Sequence, residues 1–295
     1  MWRTNAFPVG MALFLALLWG LWWMPVRYLN SIGLEGAWAA VAVSLAALPI
    51  LLVLVVLGPG FKAISRRALT GTILAATAFT AYTMALDYTD VVRVVLLFYL
   101  APAWSTLIEC RFMGRHWSWQ IMLAFLCSFI GLLLILGGEL SPASIGFGEI
   151  LALLSGMLWA VGAALLYSSP PANAAQISLI AVAFSTFTSL AAALATGASA
   201  GSAAEFLDIF LDYRIYFIGC VFFAPMLAIT IWAAWKLPPA LMSYLLTTEI
   251  ISGVVSSVIF LDEKFGGVEF FGAVAIILGA TIELVLPKGL VMKEE

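Results

Sequence analysis

The chain has 295 residues, of which 64% are hydrophobic and only 10% charged, against about 45–50% and about 25% in an ordinary soluble domain. A water-facing surface this apolar would aggregate, so a soluble globular fold is excluded and lipid is the expected solvent for the outer surface. The net charge of −3 leaves no basic footprint for nucleic acid.

A spanning helix needs about 20 mostly apolar residues, and runs of that length recur along the whole chain. The first covers 8–28. Arg3 precedes it, but the run continues from Pro8 to Arg27 with no small-residue cleavage pattern, so it reads as a span rather than a signal peptide. Spans at 37–57 and 68–87 follow. Only Tyr88-Thr89-Asp90-Val91 separates the third from the fourth, 92–111, in which Pro102 removes a backbone hydrogen bond and marks a kink. Further spans are expected at 118–137, 148–167, 176–197, 215–235 (with a second kink at Pro225), 241–260 and 268–286, ten in all. Backbone groups in lipid must pair internally, so runs this long are helices. The fold class expected is therefore all-α integral membrane.

The connections are short. The longest, 198–214, carries Glu205, Asp208, Asp212 and Arg214 and reads as a loop. Nothing there holds a nucleotide-binding engine, and no GxxxxGK[ST] loop is present. Lys and Arg set the orientation. Placing both termini in the cytoplasm puts Arg3, Lys62, Arg66, Arg67, Arg111, Arg115, Lys236, Lys288 and Lys293 inside, and leaves Arg27, Arg93, Arg214 and Lys264 outside.

The sequence also matches itself. A shift of 140 lays Ala12, Ala16, Trp19 and Gly20 on Ala152, Gly156, Trp159 and Ala160. A shift of 148 lays Gly71 on Gly219, Ala85 on Ala233 and Gly131 on Gly279, and the turn Met113-Gly114-Arg115 on Leu261-Asp262-Glu263. Two five-helix repeats are expected, 1–137 and 138–295. Five is odd, so the second enters the membrane inverted, an architecture of secondary transporters with a midplane site between the halves. Charge agrees, since the basic turn at Arg111 and Arg115 faces an acidic counterpart at Asp262 and Glu263.

These features resemble the drug/metabolite transporter superfamily of EamA type: Leu100-Ala101-Pro102, the turn Met113-Gly114-Arg115, Gly131, Leu261-Asp262-Glu263 and Gly279. In size and aromatic content the chain is most similar to the bacterial aromatic amino-acid exporters of the YddG type. It departs at Ile250, which stands where the first half has Pro102. The resemblance implies efflux without ATP, from a bacterial inner membrane.

The sharpest single residue is Glu249, in the middle of the ninth span, where a carboxylate costs about 2.5–3.5 kcal/mol on insertion scales and faces a cavity or a partner. It reads either as a site for a substrate ammonium or a proton, or as a structural acid bonded to a neighbouring helix. Tyr244, Thr248, Ser252 and Ser256 recur every four residues on that span and form a polar stripe, which serves a cavity or glues helices. Trp19, Trp159, Tyr82 and Tyr99 lie inside their spans and offer ring walls, whereas Trp2, Trp22, Trp23, Trp38, Trp117 and Trp119 lie near span ends and read as an interfacial belt. Asp87, Asp90 and Arg93 read as a solvated outer cluster, and the spans hold no carboxylate pair. His116, the lone histidine, has no companion for metal or triad chemistry, and Cys110, Cys127 and Cys220 match no metal or redox spacing and read as small core residues.

An exporter of aromatic and other neutral amino acids fits these residues. Export of another metabolite or drug in the same fold is the alternative, with cationic drugs disfavoured because the first helix has no acid. A lipid-modifying enzyme would need clustered His, Asp or Lys near one interface. No cofactor or metal is expected. The partners are the bilayer, an amino-acid-sized solute and, compatibly, a second copy of the chain as a homodimer.

Overall fold

The computed structural model describes residues 6–58, 60–135, 145–170, 172–263 and 265–285. Among these residues there are helices and no strands. In chain order they are α1 (Ala6–Trp19), α2 (Trp23–Ser31), α3 (Trp38–Leu57), α4 (Arg66–Tyr88), α5 (Val91–Phe98), α6 (Ala101–Phe112), α7 (Trp119–Ile135), α8 (Phe147–Tyr167), α9 (Ala174–Thr196), α10 (Ala203–Phe210), α11 (Tyr213–Tyr216), a π-helical segment (Phe217–Phe223), α12 (Ala224–Lys236), α13 (Pro239–Leu246), α14 (Glu249–Leu261) and α15 (Gly267–Val285). Taken as passes, eight are long and apolar enough to cross a membrane, and Trp119–Leu134 and Gly267–Ile282 are two shorter apolar helices. The 137/138 repeat boundary lies outside the described residues, as do Trp2, Arg3, Lys264, Lys288 and Lys293.

The narrow divide between the third and fourth passes is real. Thr89 and Asp90 are extended, with ψ of 173° and 144°, and α5 starts immediately after them. Three of the expected spans are broken into two helices each, one of them at the expected Pro102 kink. Pro102 has no N–H for the Phe98 carbonyl, and the helix stops at Tyr99-Leu100 before resuming as α6. Pro25 does the same to the Leu21 carbonyl, and a tight turn from Gly20 to Trp22 separates α1 from α2. No proline marks the third break. Thr247 and Thr248 there donate to carbonyls three residues back, at 2.9 and 3.3 Å, and the Thr247 hydroxyl bonds the Tyr244 carbonyl at 2.6 Å. Pro225 lies two residues past the π segment, and its missing N–H removes a helix bond there.

The 198–214 connection is not a plain loop. Ser202 accepts from the Glu205 amide at 3.2 Å, Glu205 returns to the Ser202 amide at 2.6 Å, and this reciprocal cap starts α10. The two Ser202 contacts, backbone first, hold the Glu205 carboxyl below its ordinary range. Phe206 and Phe210 stack on each other, and Phe206 meets the edge of Trp38.

Packing relies on close backbone approach. α3 packs on α9, α4 on α8 and α9, α7 on α15, and α1 on α12, α13 and α14. At Gly71 a Cβ would lie 2.9 Å from the Gly162 carbonyl oxygen, and at Gly162 the same distance from that of Gly71. Two of the tryptophans expected in an interfacial belt are core instead. Trp22 is fully buried and donates to Thr83 Oγ1 at 3.1 Å, and Trp23 donates to Ser256 Oγ at 2.9 Å. Both sit just past the α1 break, so their position in sequence resembles a helix end while their position in space is the centre of the bundle. Trp117 and Trp119 are exposed, as a belt requires. Cys110, Cys127 and Cys220 are half-buried and form no disulfide.

Candidate functional site

The breaks converge on one cavity of about 50 Å³. On α4, Ala75, Ala78, Phe79 and Tyr82 fall at helical spacing and present one face to it. Trp19 ends α1, Phe98 ends α5, Leu246 ends α13 and Glu249 opens α14, and all four line the same space with Trp159 of α8 and Leu227 and Thr230 of α12. The cavity thus lies where three helices are interrupted.

Glu249 is buried, and each of its oxygens has a partner. Tyr82 Oη donates to Oε1 at 2.6 Å, and Tyr99 Oη donates to Oε2. The break changes what this carboxylate costs. It is the first residue of α14 rather than the middle of a long helix, and a negative charge at a helix N-terminus faces the positive end of the dipole. Backbone packing fixes it further. A Cβ on Gly20 would lie 2.6 Å from the Gly253 amide nitrogen, 2.7 Å from the Glu249 carbonyl oxygen and against the Ser252 hydroxyl.

Five rings, Trp19, Phe79, Tyr82, Phe98 and Trp159, form part of the remaining wall. Trp19 meets Phe79 edge-on with centroids 5.8 Å apart, and Tyr82 meets Phe98 at 5.2 Å. Trp19 donates its indole N–H to Thr230 Oγ1 at 2.9 Å. Trp159 differs, because its Nε1 is buried and meets no acceptor. A buried N–H without an acceptor is costly. Among the lining residues, Glu249 and Thr230 are acceptors already filled, and Trp159 carries a donor without a partner.

Of the residues picked out from the sequence, Trp19, Tyr82, Trp159 and Glu249 line the cavity, and Tyr99 joins it through Glu249. Tyr244, Thr248 and Ser252 do not line it. The Thr247-Thr248 break splits their stripe, and Ser252 bonds the Glu249 carbonyl of its own helix at 3.2 Å. Pro102 marks a break that borders the cavity, and Pro225 is exposed two residues beyond the π segment. His116 is exposed in the turn before α7.

The sequence reading misjudged one acid and missed two others. Asp87 is not part of a solvated cluster, since it accepts from Asn30 of α2. Arg93 pairs with Glu149 at 3.2 Å, and Thr89 donates to the same carboxylate at 2.7 Å. Glu109 pairs with Arg115 at 2.9 Å. The last two lie near the ends of apolar passes, where scanning for central charges overlooks them.

No curated protein matches the chain. One solved structure, described as "Crystal structure of protein", has a TM-score of 0.60 over 97% of this chain and 99% of its own at 14% identity, a likeness of fold. Residues 6–137 match the EamA-like transporter family, and with the apolar passes this supports a multi-pass membrane transporter of small molecules and not an enzyme.

Proposed function

We propose that the chain exports amino acids, aromatic and other neutral ones first, by alternating access through the cavity around Glu249. The observation that carries the reading is the pairing of a buried carboxylate with an idle indole N–H between ring walls. A zwitterion with a ring matches each part. Its ammonium would take over the Glu249 oxygens from the two tyrosines, its carboxylate would accept from Trp159 Nε1, and its side chain would lie against Trp19, Phe79 and Phe98.

The inverted-repeat reading, residues 1–137 against 138–295 as ten spans, draws support from packing. Exchanging the two sets of five passes turns the α3–α9 and α7–α15 contacts into themselves, and turns α5 and α6 on α8 into α13 and α14 on α1. Gly131 and Gly279 occupy equivalent roles, each with its Cβ position 2.8 Å from a carbonyl oxygen of the other helix. The turn residues Gly114 and Asp262, matched in sequence, are both left-handed, with φ of 75° and 52°. The family match ends where the first repeat ends. The proposed setting is a bacterial inner membrane with both termini cytoplasmic.

The test is flux into proteoliposomes from a panel of labelled phenylalanine, tryptophan, threonine, a purine and a guanidinium cation, with and without a pH gradient. Selective movement of the aromatic amino acids supports the reading. Movement of the purine or the cation in their place overturns the substrate and keeps a transporter.

A further inference from the structure

A cavity of about 50 Å³ is far below the roughly 300–1,000 Å³ of ordinary ligand sites. A transported solute enters only if the helices around it part, and the structure shows where they are held together. α5 packs along α14, and α6 packs along α13, so the two broken passes form two pairs of half-helices. Each pair is tied at the end away from the cavity by a carboxylate on a helix N-terminus. In the first pair Glu263, just past α14, accepts from the amides of Val91 and Val92, the first residues of α5, at 2.9 and 3.0 Å. In the second, Glu109 near the end of α6 accepts from the Ala240 amide at the start of α13, at 2.9 Å.

Val91 and Glu109 belong to one pass, Val91–Phe112, and its 1.5 Å rise per residue puts them roughly 27 Å apart. The two ties therefore lie at opposite ends of the bundle. Each also sits at a left-handed corner. Asp262 at φ 52° turns the chain so that Glu263 reaches back onto α5, and Gly114 at φ 75° brings Arg115 onto Glu109 at 2.9 Å. A non-glycine residue in this region is strained and persists only where its surroundings hold it. Neither carboxylate lines the cavity, so neither is needed to bind a solute.

We infer that Glu263 and Glu109 are the two latches of the transport cycle, one at each face, and that releasing one opens the cavity to that face alone. The bonds to free amides suit a latch. They are made to N–H groups that no helix turn can satisfy, and water replaces them when the pair parts. The inference rests on the transporter reading and is indifferent to the solute.

The test reads access rather than flux. Cys110, Cys127 and Cys220 are replaced by serine, and Ala78→Cys places one thiol in the cavity wall. A membrane-impermeant thiol reagent is then applied to either face of oriented vesicles. With Glu263→Gln, labelling from the Val91 face rises about tenfold while labelling from the other face does not rise. Glu109→Gln gives the reverse pattern. Val91→Pro keeps the Glu263 carboxylate and removes one of its donors at a helix position that tolerates proline, and it behaves as Glu263→Gln does. Equal rises at both faces, or none at either in folded protein, overturn the latches. Face-selective labelling with no solute moving keeps the latches and removes the amino-acid reading. Solute movement without face-selective labelling does the opposite.

Discussion

A carboxylate held between two tyrosine hydroxyls, in a cavity that an unbonded indole also lines, sets up opposite dependences on a ligand's two charges. Glu249→Gln removes the charge that an ammonium meets while keeping the size of the side chain. Transport of a zwitterionic amino acid is expected to fall at least a hundredfold, while binding of an analogue without the amine stays within about twofold. Paired uptake and competition assays on both ligands check this. Trp159→Phe keeps a ring and removes the idle N–H. A hydrogen bond to a charged group is worth about 1.5–3 kcal/mol, so affinity for the amino acid drops at least tenfold and affinity for the matching amine without a carboxylate does not. Equal losses for both ligands would mean that Trp159 acts through its ring alone. Glu249 and the two tryptophans were visible in the sequence because a charge or an indole inside a 20-residue apolar run stands out. Their joint placement was not, because Tyr82 and Glu249 are separated by 167 residues. The hydroxyl stripe misled for a related reason: helical spacing describes one face only while the helix stays continuous.

At the scale of elements, the site depends on helices that stop. Pro102 was readable as a kink because its chemistry is local. The break at Gly20–Trp22 was equally marked by Pro25, but a single apolar run from 8 to 28 concealed it. The Thr247-Thr248 break has no proline, and side-chain bonding to the backbone makes it, so composition gives no sign of it. The Ser202-x-x-Glu205 pattern is itself a helix-start signature, and it marks α10 within a connection whose polar composition reads as loop. Pro102→Ala supplies the missing N–H to the Phe98 carbonyl. Pro102 stands in the first turn of α6, where proline is tolerated, so the variant should melt in detergent near the parent and transport about tenfold more slowly, because α5 and α6 no longer move as separate halves. Unchanged flux in the folded variant would separate the break from the cycle.

For the whole molecule, apolar runs announced a helical membrane protein, and the self-match suggested which helices correspond. Which helices touch is set by close backbone contacts that no single run reveals, such as Gly131 on Gly272 and Gly279 on Ala124. Gly131→Val and Gly279→Val each force apart the same α7–α15 pair. Each should cost about 1–3 kcal/mol, and the double variant less than the sum, since the first already separates the helices. Thermal unfolding of the four proteins in one detergent measures this. Strict additivity would mean that the two glycines do not share a contact.

The same closure has an electrical consequence. The Glu263 and Glu109 ties are both made, the central space is a few water molecules in size, and its wall is apolar apart from Thr230, Glu249 and the polar tips of Trp19, Tyr82 and Trp159. Taking a bare ion from water into such a medium costs on the order of 20 kcal/mol, so the empty protein is an insulator with no water file for protons or potassium to follow. Vesicles carrying it unloaded should hold a valinomycin-set potential as long as protein-free vesicles do, as a voltage-sensitive dye would record. A cell could therefore keep many idle copies in its membrane without running down the gradient that powers its other pumps.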